Sequence, residues 1–459
     1  MEEMVAITRS EYEFLKSLEP KVKELVSLVV SLQTEIALLK GGKNSRTSST
    51  SPSQDLCRSN TKSLREKSGK KSGGQPGHTG HSLPLSDTPT EIIPHYPHQC
   101  KHCGTTLHNT ESTLLTRRQI VDIPPVSLMY TEHQIYECCC PACGTKNIGD
   151  FPEDVTAPIQ YGPRIEANVV YLSVYQCLPY KRICALFKDF WGIRLSQGSV
   201  DNFLKKLSKK ATPAYDDIKT RILQSPVVGA DETGTRVNGK KHWFHVWQTN
   251  LLTFIVSFAS RGYKVIEEYF KDGLKFSIYV SDCWSSQLKV PAMAHQLCMV
   301  HLLRELNNFV DNINSQWSYN LKKLFQRAIQ LKSQMTEADY LNPPVEIATI
   351  NAELDTLLGT DCSKFHEKEQ AFIKRLIKHR QSIFTFLKYQ YVPHDNNASE
   401  RAIRNVKIKT KVSGKFRNNE GNGADRYAKI RSVIDTSIKN EDVVYAALFK
   451  IAKLKYVRE

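Results

Sequence analysis

The chain has no apolar run long enough to cross a bilayer. Its longest apolar stretch, around Leu25 to Leu39, is broken by Gln33, Thr34 and Glu35, whereas a membrane-spanning helix needs about 20 predominantly apolar residues. The opening residues, MEEMVAITRS, lack the charged segment and apolar run of a secretory signal. A cytoplasmic, nucleoid-associated protein with no membrane partner is therefore expected. Acids are missing from one region altogether. From Arg401 to Asn419 there is none, against seven bases: Arg401, Arg404, Lys407, Lys409, Lys411, Lys415 and Arg417. Over the whole chain 63 Lys and Arg face 47 Asp and Glu, a net charge of +16. Such an excess suits a polyanion, because each cation placed on a phosphate releases a condensed counterion. Charge alone does not separate nucleic acid from an anionic membrane surface.

At 459 residues the chain exceeds one ordinary domain, and a hydrophobic content of 40% is enough to bury several cores. Twelve cysteines in a cytosolic chain suggest a metal site and buried thiols rather than a disulfide framework.

Residues 15 to 39 carry heptads. Leu15, Val22, Val29 and Ile36 occupy a positions, and Leu18, Leu25, Leu32 and Leu39 occupy d positions. β-Branched residues at a with Leu at d favour a parallel two-stranded coil, hence a homodimer or higher oligomer. A single amphipathic helix docked on a core is the alternative. Pro20 is expected to mark the start of the continuous coil, since proline disrupts a helix interior. Residues 41 to 82 then hold ten serines and eight Lys or Arg against Asp55 and Glu66. This basic linker cannot bury enough apolar surface to fold alone, and composition does not distinguish a loop from a phosphate-tracking arm.

Two Cys-x-x-Cys-Gly knuckles follow, at Cys100 and Cys103 and at Cys140 and Cys143. Together they can bring four thiolates to one structural Zn²⁺ with no open position. Buried free cysteines are the plainer alternative, and Cys138 and Cys139 are alternative ligands. The segment between the knuckles alternates like a hairpin. Residues 162 to 210 read as helices, and LPYKRICALFKDF, WGI and LSQGSVDNFLKKLSKK form a candidate helix-turn-helix with Ser196 as N-cap.

The carboxylates come next. An apolar strand is expected to end at Asp231, with a turn at Asn238-Gly239, two further strands and a second short strand ending in Asp282. Two buried strands ending in Asp suggest a divalent metal site at a sheet edge. Glu400 lies far downstream on a basic helix. With Asn397 as N-cap it would fall at N3 and could simply complete a capping box. Against that, Glu400, Arg404, Lys407 and Lys411 share one helical face, with Ile403 and Val406 opposite and Gly414 placed to end the helix.

These stretches resemble the DDE transposases of the insertion-sequence-66 family. The residues that carry the likeness are GGQPGHTGHSLP, the paired knuckles, LPYKRICALF, GIRLSQGSVDNFL, ADETGTRV, QLCMVHLLREL and DNNASERAIRNVKIKTKVSGKF. The resemblance implies an RNase H-like catalytic domain with a helical insertion and an acidic triad of Asp231, Asp282 and Glu400. It implies two-metal phosphoryl transfer, with Asp231 bridging two Mg²⁺ and Asp282 and Glu400 each holding one. Arg404, Lys407, Lys411 and Lys415 would contact phosphates of element-end and target DNA. Accessory proteins of the same element are further candidate partners. Where the family usually has a small residue and an aromatic after the second Asp, this chain has Cys283-Trp284. Cys298 and His301 match a Cys-x-x-His pair of related transposases, here expected to be structural.

The expected architecture is α/β and multidomain: a coiled coil over 1–42, a basic linker over 43–90, a zinc module over 91–152 and a helical DNA-binding region over 153–222. The RNase H-like core then spans 223–300 and 391–459, interrupted by the helical insertion at 301–390. A zinc-and-zipper DNA-binding protein without catalysis is the alternative reading.

Overall fold

The computed structural model describes residues 8–41, 77, 83–124, 127–416 and 423–455. Most of the basic linker, the greater part of GGQPGHTGHSLP, and Arg417 lie outside the described residues. The chain divides into two compact units, one of residues 1–58 and 131–459, the other of residues 59–130.

In the larger unit, helix α1 (Arg9–Gly41) is continuous across Pro20. The helix itself therefore begins before Pro20, where the continuous coil was expected to start. An internal proline removes one backbone hydrogen bond and costs about 3 kcal/mol, but that cost is confined to one turn. The short arm before it is secured by a capping box: Thr8 N donates to Glu11 Oε2 at 2.8 Å, and Glu11 N to Thr8 Oγ1 at 3.3 Å. The heptad residues Leu25 and Leu32 are about half exposed, at 58% and 48%.

Strands β1 (Glu137–Cys139) and β2 (Lys146–Ile148) form a small antiparallel hairpin around the second knuckle. The longer hairpin expected between the knuckles is not found among the described residues of 112–136. Its apolar side chains, including Leu115, Ile120 and Ile123, stay exposed. Alternation specifies a strand only where one face is covered.

Helices α2 (Pro163–Val170), α3 (Tyr180–Trp191), α4 (Gln197–Lys210) and α5 (Thr212–Leu223) precede the main sheet. Gly192, at φ 68°, ends α3, and the Ser196 hydroxyl accepts from Ser199 N at 2.9 Å to cap α4. Alternation of Val, Thr and aromatic residues produces β3 (Val227–Val237), β4 (Lys240–Gln248) and β5 (Thr253–Phe258). Asn238 and Gly239, both at positive φ, make the two-residue turn between β3 and β4. After α6 (Lys264–Tyr269) come β6 (Leu274–Ser281) and β7 (Ala292–Leu297).

The sheet order is β5-β4-β3-β6-β7. The β5–β4 and β4–β3 pairs are antiparallel, and the β3–β6 and β6–β7 pairs are parallel. The next segment is helical: α7 (Met299–Ile313), α8 (Gln316–Gln334), α9 (Ala338–Leu341), α10 (Val345–Leu358), α11 (Glu367–Lys378) and α12 (Thr385–Lys388). Helices α13 (Asn397–Ser413), α14 (Gly423–Lys439) and α15 (Val444–Ala452) close the chain.

Two hydrophobic cores meet along β6. Ile278 and Val280 pack with α7, α8, α10 and α11, whereas Tyr279 packs with the remaining sheet and α13 to α15. A strand buried on both faces reads as a continuous apolar run, here Ile278, Tyr279 and Val280. The architecture is a mixed α/β sheet enclosed by helices.

Candidate active site

Strand β3 carries Asp231 in its interior, opposite Val246 of β4. The strand was expected to stop at Asp231 but continues to Val237, because Thr233, Thr235 and Val237 sustain the alternation into the hairpin. The parallel register sets the neighbour. Val227 lies beside Ile278 and Gly229 beside Val280, so the same offset continued two residues brings Asp231 level with Asp282. Asp282 sits just past the end of β6, where its Oδ1 accepts the Trp284 amide at 3.0 Å.

Helix α13 carries Glu400 near enough for its charge to act on Asp231. Its apolar stripe of Ala402, Ile403 and Val406 is buried, and the helix packs on β3 and β4. The close approach occurs at Gly229, where a Cβ would stand 2.7 Å from Ser399 Oγ and 2.9 Å from Asn396 Oδ1. Strand side chains alternate, so Asp231 shares the face of β3 that meets this helix start. Glu232 lies on the other face.

The capping-box alternative for Glu400 does not hold. The N-cap is Asn396, which places Glu400 one residue beyond N3. Its carboxylate instead faces α7, with Oε1 3.5 Å from Arg304 Nη1 and 3.6 Å from His301 Nε2. These are ion-pair distances, and Glu400 Oε1 is buried without a hydrogen-bond partner. Cys298 begins α7. It is fully buried and its Sγ accepts from Asn396 N at 3.2 Å. Burial pushes its thiol up to about 11. Cys298 therefore buttresses the start of α13, while His301 faces the carboxylate.

Burial, then the charges of Glu232 and Asp282, raise Asp231 well above the ordinary carboxylate range; Glu400 adds to this and the Glu232 amide opposes it. Carboxylates gathered in a desolvated place repel one another until a cation intervenes. The donor set is hard oxygen, and Glu400 supplies a buried oxygen with no hydrogen-bond partner. These residues fit a divalent ion such as Mg²⁺, which is held by one or two carboxylates with water and phosphate oxygens. Among the described residues no three His, Cys, Asp or Glu side chains gather closely enough to enclose an ion by themselves.

Of the basic residues on α13, Arg404 and Lys411 are exposed and Lys407 is half-buried, and Lys415, just past the helix, is exposed. Lys409 is buried, donating to the carbonyls of Ser173 at 2.8 Å and Leu178 at 3.5 Å. Cys283 packs against the helical core and Trp284 lies over Arg261, its ring centroid 3.8 Å from the guanidinium carbon. Arg304, Glu232, Arg261 and Gln287 were not identified from sequence. Arg304 follows His301 by three residues, one helical face, which was the available signal.

The two knuckles share one local geometry. Cys100 N donates to Thr105 O at 2.9 Å and Gly104 N to Cys100 O at 2.9 Å. Cys140 N donates to Thr145 O at 2.8 Å and Gly144 N to Cys140 O at 2.8 Å. Gly104 and Gly144 have φ of 72° and 70°, values that glycine adopts without strain. Hydrogen bonds, first from Thr105, lower the Cys103 thiol to about 7, and Thr145 likewise lowers Cys143. Cys138 and Cys139 lie on β1, before the turn.

The mixed sheet thus carries Asp231 on β3 and Asp282 just past β6, with Glu400 on a basic helix packed against β3 and β4. The chain belongs to a family described as Transposase IS66 family, whose model matches residues 158–424. It is thus of transposase type, with nuclease or transferase activity in general terms. No curated protein matches the chain. Among the described residues no helix is long and apolar enough to cross a membrane.

Proposed function

We propose that the protein is a DDE transposase that cleaves DNA at the ends of an insertion sequence and joins them to a target, with Asp231, Asp282 and Glu400 as its acidic triad. The register that sets Asp231 level with Asp282, with Glu400 on the helix packed against β3, carries this reading. The strand order β5-β4-β3-β6-β7, with three antiparallel strands followed by two parallel ones, supports an RNase H-like core.

In this reading Asp231, Asp282 and Glu400 are the carboxylates that would hold catalytic Mg²⁺. The bound ions supply activation of water or a DNA 3′-hydroxyl and stabilisation of the leaving oxygen. The protein's own contribution is placement. The β3–β6 register sets two carboxylates level, and the contact at Gly229 brings in the third. Arg304 and His301 hold Glu400 in orientation through α7. Arg404, Lys407 and Lys411 along α13, with Lys415 just past its end, would track a DNA backbone, adding affinity rather than sequence reading. Sequence reading falls to the α3–α4 hairpin and to the knuckles, where Cys100, Cys103, Cys140 and Cys143 would share one structural Zn²⁺.

The test is Mg²⁺-dependent cleavage of DNA carrying the element ends. Asp231→Asn, Asp282→Asn and Glu400→Gln keep side-chain volume and remove a ligand charge. Each should reduce cleavage to background while DNA binding persists. Normal cleavage by Glu400→Gln would remove that residue from the site.

A further inference from the structure

The buried carboxylate beside Asp231 has a place that the triad does not explain. Glu232 is 3% exposed, and both of its oxygens are taken. Oε1 accepts from Arg261 Nε at 2.8 Å, and Oε2 accepts from Gln287 Nε2 at 2.7 Å. Gln287 Oε1 accepts from the Tyr279 hydroxyl at 2.5 Å, which accepts in turn from Trp247 Nε1 at 3.1 Å.

Both partners of Glu232 lead to Asp282. Gln287 belongs to the short helical turn after Asp282, and its amide donates to Trp284 O at 3.0 Å. Arg261 lies against the Trp284 ring at 3.8 Å and the Trp243 ring at 5.1 Å. Trp284 N is the donor to the Asp282 carboxylate. The links close a circuit from Glu232 through Gln287 or Arg261 to Trp284 and so to Asp282. A fold could fill such a place with apolar side chains at no loss of stability. A carboxylate with one oxygen on each route to Asp282 fixes a direction, which packing alone does not.

We propose that Glu232 is a positioning residue: it anchors the loop after β6 and thereby aims Asp282 at the metal site it forms with Asp231. This inference rests on the assignment of Asp231 and Asp282 as metal ligands. It also gives the bulky Cys283-Trp284 pair a role, since Trp284 supplies the ring under which Arg261 is held.

The test measures Mn²⁺ affinity by calorimetry, without DNA, together with thermal melting. Gln287→Ala and Trp284→Ala should each weaken Mn²⁺ binding about tenfold, the usual scale for an outer-shell residue, with melting temperature little changed. Glu232→Gln should weaken it at least as much. Trp284→Phe keeps a ring over Arg261 and should restore most of the affinity. Parental affinity in Gln287→Ala and Trp284→Ala, with a parent that binds Mn²⁺, overturns the inference and leaves the triad intact. Losses that track melting temperature in every variant, unrestored by Trp284→Phe, overturn it as well. A parent that binds no Mn²⁺ overturns the triad assignment, and this inference with it.

Discussion

The side-chain amide of Asn396 donates to the carbonyl of Ala230 at 2.6 Å, across 166 residues of sequence. Ser399 Oγ donates to Asn396 Oδ1, also at 2.6 Å. The start of α13 is thereby fastened to the residue before Asp231. A Cβ on Gly229 would lie 2.6 Å from Gln248 Nε2 and 2.7 Å from Ser399 Oγ, distances at which neighbours must move. Gly229→Ala should cost about 1–3 kcal/mol of stability, the usual scale for overpacking. It should lower cleavage further than that loss explains, because Glu400 moves with its helix. Adding Ser399→Gly removes the hydroxyl in the way and should recover part of the activity. Parental melting and cleavage in Gly229→Ala would show that the contact yields freely.

How far the site was legible depends on what kind of contact holds it. The 51-residue spacing of Asp231 and Asp282 is the β3–β6 register itself, so that pair could be read from apolar strands alone. The end of β3 could not, since Asp231 and Gly234 carry turn signals within a stretch whose Thr233, Thr235 and Val237 favour a strand. The N-cap fell one residue early because Asn396 and Asn397 are equally suited to it, and only the bond to Ala230 selects the first. Glu232 reads as half of an acidic doublet until strand alternation is combined with a loop 55 residues away. Arg304 meets Glu400 only through the packing of α7 against the start of α13.

The knuckles make a second prediction. Their matched hydrogen bonds point to Cys140 and Cys143, rather than Cys138 and Cys139, as the counterparts of Cys100 and Cys103. Purified protein should carry about one zinc per chain. Cys100→Ser and Cys140→Ser should lose it, and Cys138→Ser and Cys139→Ser should keep it. Elemental analysis decides. Folded, carefully purified protein without zinc sinks the claim, and retention by Cys140→Ser moves the ligand to a neighbouring cysteine.

Lys409 gives a pH prediction. Burial lowers its ammonium from 10.5 to about 8. Between those values the unfolded chain binds more protons at this position than the folded one, so stability rises with pH across that window. Lys409→Met lacks this term. The parent should therefore gain on the variant as pH rises from 8 towards 10, by at most roughly 1.4 kcal/mol per pH unit. Urea denaturation of both proteins at pH 7.5 and 9.5 measures the difference. A constant gap would show that Lys409 keeps its charge through its carbonyl contacts.

The last prediction concerns α1. Its 33 residues span about 50 Å at 1.5 Å per residue, and its apolar surface is broader than the a and d stripe. Val26, Leu28 and Val30 are exposed together with Leu25, Val29 and Leu32. A transposase that joins two element ends has to hold both at once, and one end per subunit of a dimer meets that need. A helix of this length with Leu at d could pair two chains, helped by DNA, since binding to a shared ligand adds to a modest intrinsic association. Leu25→Lys combined with Leu32→Lys would place charge in two d layers, where desolvation is strongly unfavourable. This variant should still nick single ends, because both substitutions lie more than 190 residues before Asp231 in sequence. It should fail to form paired-end complexes and joined products at protein concentrations where the parent makes both. Native gels and joining assays across a concentration series separate the two steps. Equal yields of paired-end complex from variant and parent would assign the heptads to packing within a single chain.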